Sequence, residues 1–140
     1  MKIQATAIAI GKRAYLIMGP SGFGKSSLAL SLIRSGARLI SDDITIVDGQ
    51  TALAPDNYQG WLEVRGIGLI SGFPVCSQAV IAGVIELVTH KPDRMPLGAN
   101  KRIGDLNVPL FRIWKRDTNK ADKVMVIDQI LQGELRKEEK

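Results

Sequence analysis

One cysteine, one histidine and seven aromatic residues in 140 positions exclude several kinds of protein at the outset. A lone Cys76 cannot form an intrachain disulfide, which suits a reducing compartment, and it reads as a small buried apolar residue. Phe111 and Trp114 are the only aromatics in the basic C-terminal stretch, too few for the interleaved stacking platform of a single-strand nucleic-acid binder. Long hydrophobic runs are also missing. Ile3 to Ile10 is interrupted by Gln4 and Thr6 and ended by Gly11-Lys12-Arg13, so neither a signal peptide nor a membrane span is expected, and a cytoplasmic location follows by elimination. There is no internal repeat or low-complexity tract. The length and the hydrophobic fraction of 45% predict a single domain, residues 1–140, with one real core.

What is present begins with Gly19-Pro20-Ser21-Gly22-Phe23-Gly24-Lys25-Ser26, a complete G-x-x-x-x-G-K-[ST] phosphate-binding loop. Upstream, Arg13 to Met18 has strand character; downstream, Ser26 to Ser35 has helical periodicity before Gly36. The order strand, loop, helix is the one such a loop requires. Its glycines let the backbone fold closely round an anion, so that successive N–H groups and the positive end of the helix point at the phosphates. Lys25 is then expected to reach the β- and γ-phosphates and the Ser26 hydroxyl to ligate Mg²⁺, with Gly19 through Ser27 forming the nucleotide-binding segment.

The rest of the pattern predicts a mixture of strands and helices. Ile3 to Ile10 and Arg13 to Met18 flank a two-residue hairpin at Gly11-Lys12. In the helix after the loop, Leu28 with Leu32 and Ala29 with Ile33 mark the buried side, while Ser27, Ser31 and Arg34 face outward, and Gly36 ends it. Strands follow at Ala37 to Ser41 and Ile44 to Val47, with a turn at Asp48-Gly49. Thr51 to Gly60 reads as a loop, Trp61 to Arg65 as a strand and Gly66 to Ile70 as its continuation. Val80 to Val88 and Leu106 to Trp114 are long apolar strands, and His90 to Arg102 between them is an exposed loop carrying the single histidine. Asn119 is predicted to cap a last helix whose apolar face is Val124, Ile127, Ile130 and Leu131, and Leu135 to Lys140 is expected to fray.

The net charge of +5 is concentrated in Lys91 to Lys123, which holds nine cations against four carboxylates; the remainder balances at ten against ten. These residues predict solvated loops, with one or two cations reaching a phosphate or an acidic partner and no nucleic-acid track. Leu39-Ile40-Ser41-Asp42-Asp43 brings paired carboxylates to a strand end one helix after the loop. Neighbouring carboxylates on extended chain point to opposite sides, so one suits proton transfer and the other metal or support, with the assignment between them open. Leu62-Glu63-Val64-Arg65-Gly66-Ile67-Gly68 is a charged strand running into glycines and gains meaning only beside the other two segments.

Together the three segments resemble the catalytic domain of bacterial HPr kinase/phosphorylase, the serine kinase of the phosphocarrier HPr. The likeness rests on Gly19 to Ser26 followed by Leu28-Ala29-Leu30, on Gly36 to Asp43, and on Leu62 to Gly68, the family signature. It covers about Ile3 to Ile70 and is to the short, catalytic-domain-only form of some proteobacteria, which lacks an N-terminal domain. The resemblance implies an α/β phosphate-loop fold similar to the nucleotide-binding core of phosphoenolpyruvate carboxykinase, with helices on a mixed sheet. It also implies ATP- and Mg²⁺-dependent phosphorylation of a serine on HPr and reversal by inorganic phosphate to give pyrophosphate. Hexamers, common in the family, would place the basic half near a neighbour's site. Carried over by residue, Lys25 binds phosphate and Ser26 metal; Asp42 accepts the serine proton and returns one in phosphorolysis. Asp43 and Glu63 support metal and loop geometry, and Arg65 with Gly66 and Gly68 holds the signature segment.

Two positions depart from the family pattern. Gln4 stands where a first-strand histidine is usual, and glutamine cannot carry a proton at neutral pH; Ser27 replaces a common acidic residue. The expectation is that nucleotide binding survives while transfer slows, phosphorolysis most. Three functions remain open: the HPr kinase that the resemblance implies, a degenerate nucleotide-binding sensor that transfers nothing, and a small-metabolite kinase with Arg94, Lys101 and Arg102 on a lid.

Overall fold

The structure of the chain, a computed structural model, describes residues 1–138. Its elements in chain order are β1 (Lys2–Gln4), β2 (Thr6–Ile10), β3 (Arg13–Met18), α1 (Lys25–Arg34), β4 (Arg38–Ser41), β5 (Ile44–Asp48) and β6 (Thr51–Leu53). They continue with β7 (Leu62–Val64), β8 (Gly68–Ile70), β9 (Gln78–Val88), β10 (Ala99–Ile103), β11 (Leu106–Trp114) and α2 (Lys120–Leu131). Nine strands form one mixed sheet in which β3 lies between antiparallel β2 and parallel β9. The other edge of β9 carries antiparallel β6 beside its first residues and parallel β11 beside Val84 to Val88.

Strand alternation divides the interior into two clusters, one on each face of the sheet. On one face Ile8, Tyr15, Ile17 and Ile85 meet Leu28, Ala29, Leu32 and Ile33 of α1 and Val124 and Ile127 of α2. The other face is filled by Ala5, Ala7, Ala9, Ala14, Leu16, Ala52 and Val84. Alanines suit it because the sheet curls there: β1 and β2 are separated only by Ala5, yet β1 pairs with β5 while β2 pairs with β4. The predicted helix after the loop and its buried residues are as expected. Gly36 and Ala37 N–H donate to the Ile33 and Leu32 carbonyls and close it.

Several boundaries differ from the sequence reading. The predicted strand Ile3 to Ile10 is split at Ala5. Thr51–Leu53 is a strand, because the Asp48-Gly49 turn folds it back onto β5, and Ala99–Ile103 is a strand because its polar residues sit on an edge paired only with β11. Gly66 to Ile70 is no continuation: the chain reverses at Arg65-Gly66-Ile67 and β8 returns antiparallel to β7 as a separate ribbon. Asn119 occupies the N-cap of α2 without a side-chain bond to the helix; its own N–H donates to Asp117 at 2.7 Å, and Lys123 donates to the same carboxylate. Of the stretch expected to fray, residues 135–138 have no regular structure, although Lys137 Nζ donates to the Pro96 carbonyl at 3.0 Å. Residues 139 and 140 lie outside the described ones. Cys76 is buried and His90 exposed, as predicted. Among the described residues no helix is long and apolar enough to cross a membrane.

One buried polar contact joins the two ends of the chain. Arg13 grips Asp128 of α2 with both carboxylate oxygens, at 2.7 and 2.8 Å, and the Tyr15 hydroxyl donates to the same carboxylate at 2.6 Å. Burial pushes the Asp128 carboxyl up, but the hydrogen bonds from Arg13 and Tyr15 together outweigh it and hold the group below its ordinary range. Burial first, and then the bond to Asp128, push Tyr15 up.

Candidate active site

The phosphate loop leaves the C-terminal end of β3 and enters α1 at Gly24, which has φ 93°. A side chain at Gly22 or Gly24 would meet nothing within 4 Å, so the concavity above them is open, and what glycine supplies is the left-handed backbone. No side chain caps α1 and no acidic residue lies in its first turn. The positive end of the helix is therefore left free for an anion. Lys25 is buried among the loop's own carbonyls, donating to Gly19 at 2.6 Å and Pro20 at 3.2 Å. A bound phosphate would compete for that ammonium.

Asp42 gathers the three sequence segments round one carboxylate. Its Oδ1 accepts from Ser26 Oγ of the loop at 2.7 Å and from Thr6 Oγ1 of β2 at 2.9 Å; its Oδ2 accepts from Glu63 N–H of the signature segment at 3.0 Å. The next residue turns away: Asp43 has φ 68°, and Ile44 N–H reaches back to the Asp42 carbonyl at 2.8 Å, a three-residue γ-turn. Asp43 is exposed, its N–H donates to Thr6 Oγ1 at 3.2 Å, and its carbonyl accepts from Ala5 N–H at 2.9 Å. The two carboxylates thus face different surroundings, through this turn and not through the alternation of an extended strand, and only Asp42 meets the loop.

The remaining candidates are placed less centrally. Asp43 and Glu63 enter the network through backbone N–H groups, and their carboxylates are exposed. Arg65 and Gly66 lie in the exposed turn of the β7–β8 hairpin and Gly68 opens β8, with Ile67 and Leu69 also exposed. Gln4 lies next to Ala5 at the end of β1, paired with Ile44, and is exposed; Ser27 is exposed on α1. Thr6 was missed by sequence reasoning because threonine is common in strands; its signal is that it is the one polar residue in a strand otherwise made of alanine and isoleucine, and it is fully buried.

Among the described residues no three His, Cys, Asp or Glu side chains converge on a metal position. A hydroxyl and a carboxylate 2.7 Å apart at the loop nevertheless form the hard-oxygen pair that suits Mg²⁺, which commonly takes few protein ligands and its remaining oxygens from phosphates and water. A cavity of about 920 Å³ lies between α2, β11 and the 90–98 loop and is lined by none of the phosphate-loop residues. Size does not locate this site; the hydrogen-bond network does.

Fold and site define a phosphate-loop α/β domain with a strand-end carboxylate bonded to the loop. The family model described as HPr Serine kinase C-terminal domain matches residues 2–126, and the chain belongs to that family. An HPr kinase/phosphorylase of Clostridium beijerinckii is 41% identical over 134 residues, covering 93% of this chain and 38% of the relative. One from Brevibacillus brevis is 34% identical over 114 residues, covering 70% and 37%. The chain therefore spans under two-fifths of the length of these curated relatives. The solved Hpr(Ser) kinase/phosphatase from Coxiella burnetii superposes with a TM-score of 0.77 at 27% identity, over 96% of this chain and 99% of that one.

Proposed function

We propose that this domain is an ATP- and Mg²⁺-dependent protein-serine kinase that phosphorylates an HPr-like phosphocarrier in the cytoplasm and catalyses the reverse phosphorolysis slowly. The observation that carries the reading is the Asp42 carboxylate, bonded at once to the phosphate-loop Ser26 and to the signature amide of Glu63. Lys25 would exchange its two loop carbonyls for phosphate oxygens, and the first N–H groups of α1 would hold the same anion. Ser26, with Asp43 and Glu63 at the rim, would hold Mg²⁺, which when bound neutralises charge between the terminal phosphates. Asp42 takes the proton of the attacking serine hydroxyl; Thr6 Oγ1 and Glu63 N–H fix its plane, and Oδ2, with a single donor, keeps room for that proton. The exposed Ile67 and Leu69 beside the site and the basic Lys91 to Lys123 segment support contact with a partner protein and assembly with further copies of the chain, a hexamer by family resemblance.

A second reading, a nucleotide-binding sensor without transfer, is favoured by Gln4 at the edge of the Asp42-Asp43 turn and by the absence of acid in the first turn of α1. ADP formation separates the two. The kinase converts ATP faster when HPr is added and not when HPr with its acceptor serine changed to alanine is added; the sensor binds ATP and forms no ADP with either.

A further inference from the structure

The phosphate loop's single aromatic side chain carries a cation that the proposed reaction does not use. Lys115 Nζ sits 4.5 Å from the ring centroid of Phe23. Lys115 follows β11 directly, and its N–H donates to the Val88 carbonyl at the end of β9 at 2.8 Å. Its backbone is thus fixed at the C-terminal edge of the parallel strands β3, β9 and β11, the edge from which the phosphate loop also departs and at which parallel sheets take their ligands. Nearby cations are engaged: Lys123 with Asp117, and Lys120 with the Lys115 and Asp117 carbonyls. Among the described residues the half-buried Lys115 has no carboxylate in ion-pairing distance. An aromatic face holds an ammonium in place without neutralising it.

The loop has two flanks, and Lys115 is on the one opposite the chemistry. Ser26, Thr6 and Asp42 form the flank toward β2 and β4; β9 and β11 lie on the other side of β3. We infer that a nucleotide with its terminal phosphate toward Ser26 and Asp42 extends its other end over β9 and β11, and that Lys115, held on Phe23, binds its α-phosphate there. The inference rests on the reading of the loop as a nucleotide site.

Calorimetric titration of the wild-type protein, Lys115→Met and Lys115→Arg with ADP and with inorganic phosphate, both with Mg²⁺, tests it. Loss of a charge-assisted phosphate contact should weaken ADP about ten- to hundredfold in Lys115→Met. Inorganic phosphate, which fills the loop and brings no α-phosphate, should bind that variant as it binds wild type, and Lys115→Arg should recover most of the ADP affinity. Unchanged ADP affinity in Lys115→Met would overturn the assignment, and so would equal loss of ADP and inorganic phosphate, the result of a merely structural role. If wild type bound inorganic phosphate and no nucleotide, Lys115 would have no α-phosphate to bind and the assignment would fail. If it bound neither, the reading of the loop itself would fail, and the assignment with it.

Discussion

Ser26 donates its hydroxyl proton to Asp42 across 2.7 Å, joining the first turn of α1 to the end of β4. Helix α1 separates the two residues in sequence, and β2, which pairs with both β3 and β4, brings them together. The bond makes the proposed catalytic carboxylate and the phosphate loop one unit, so a substitution at Asp42 that removes the acceptor of Ser26 acts on the proposed chemistry and on the loop's shape together.

Asp42→Asn keeps the size of the side chain and one acceptor oxygen for Ser26 and Thr6, turns an NH₂ toward the Glu63 N–H, and removes the proposed base. Transfer to HPr should fall by about 10²- to 10⁴-fold, the range for a positioned general base, with nucleotide affinity spared. Single-turnover kinetics beside an ATP titration separate the two effects. A loss below about tenfold would pass the role to Asp43. Asp42→Ala leaves Ser26, Thr6 and the Glu63 N–H without their acceptor and should also lower stability, by about 1–3 kcal/mol in urea unfolding.

Gln4 ends β1, paired with Ile44 next to the Asp42-Asp43 turn. A histidine there would bring a group able to hold a proton at neutral pH to the edge of the site. Gln4→His should raise both rates, phosphorolysis more than phosphorylation, in assays run in each direction. Equal rates before and after the change would remove Gln4 from the account.

Asp128 provides the pH signature of the fold. Its carboxyl is held below the ordinary range in the folded chain, so its contribution to stability is present above that range and is lost as the pH falls through the depressed value. Asp128→Asn should cost about 2–3 kcal/mol at neutral pH, a value set by hydrogen bonds to charge and reduced because Arg13 is partly exposed. The difference from wild type should shrink below about pH 4. Chemical unfolding across that range measures it.

Gly24 isolates the backbone's part in the loop. Alanine there meets no neighbour within 4 Å yet must hold φ 93°, so Gly24→Ala should lose about 1–2 kcal/mol of stability and weaken nucleotide binding without a clash. Thermal melts beside an ATP titration are the check.

Local chemistry made the loop, α1 and the long strands β9 and β11 legible from sequence, because each is specified by residues within it: the glycines, the i,i+4 apolar pairs and the apolar runs. Asp42 and the signature segment were legible as candidates, but their meeting at one carboxylate depends on long-range pairing through β2. Elements β6 and β10 were misread because short strands, β6 between β5 and β9 and β10 at an edge, draw their order from partners. Thr6, Asp128 and Lys115 gave little signal for the same reason: a buried hydroxyl, a helical acid and one cation among many acquire roles only from what lies across the fold.

The most direct measurement is the intact mass of an HPr-like phosphocarrier after incubation with this protein, ATP and Mg²⁺, with Lys25→Ala and Asp42→Asn run in parallel. The account predicts one added phosphoryl group, mapped to serine, with wild type, and none in the same time with either variant. An unchanged HPr mass with wild type, while ATP binding is measured in the same preparation, would contradict it.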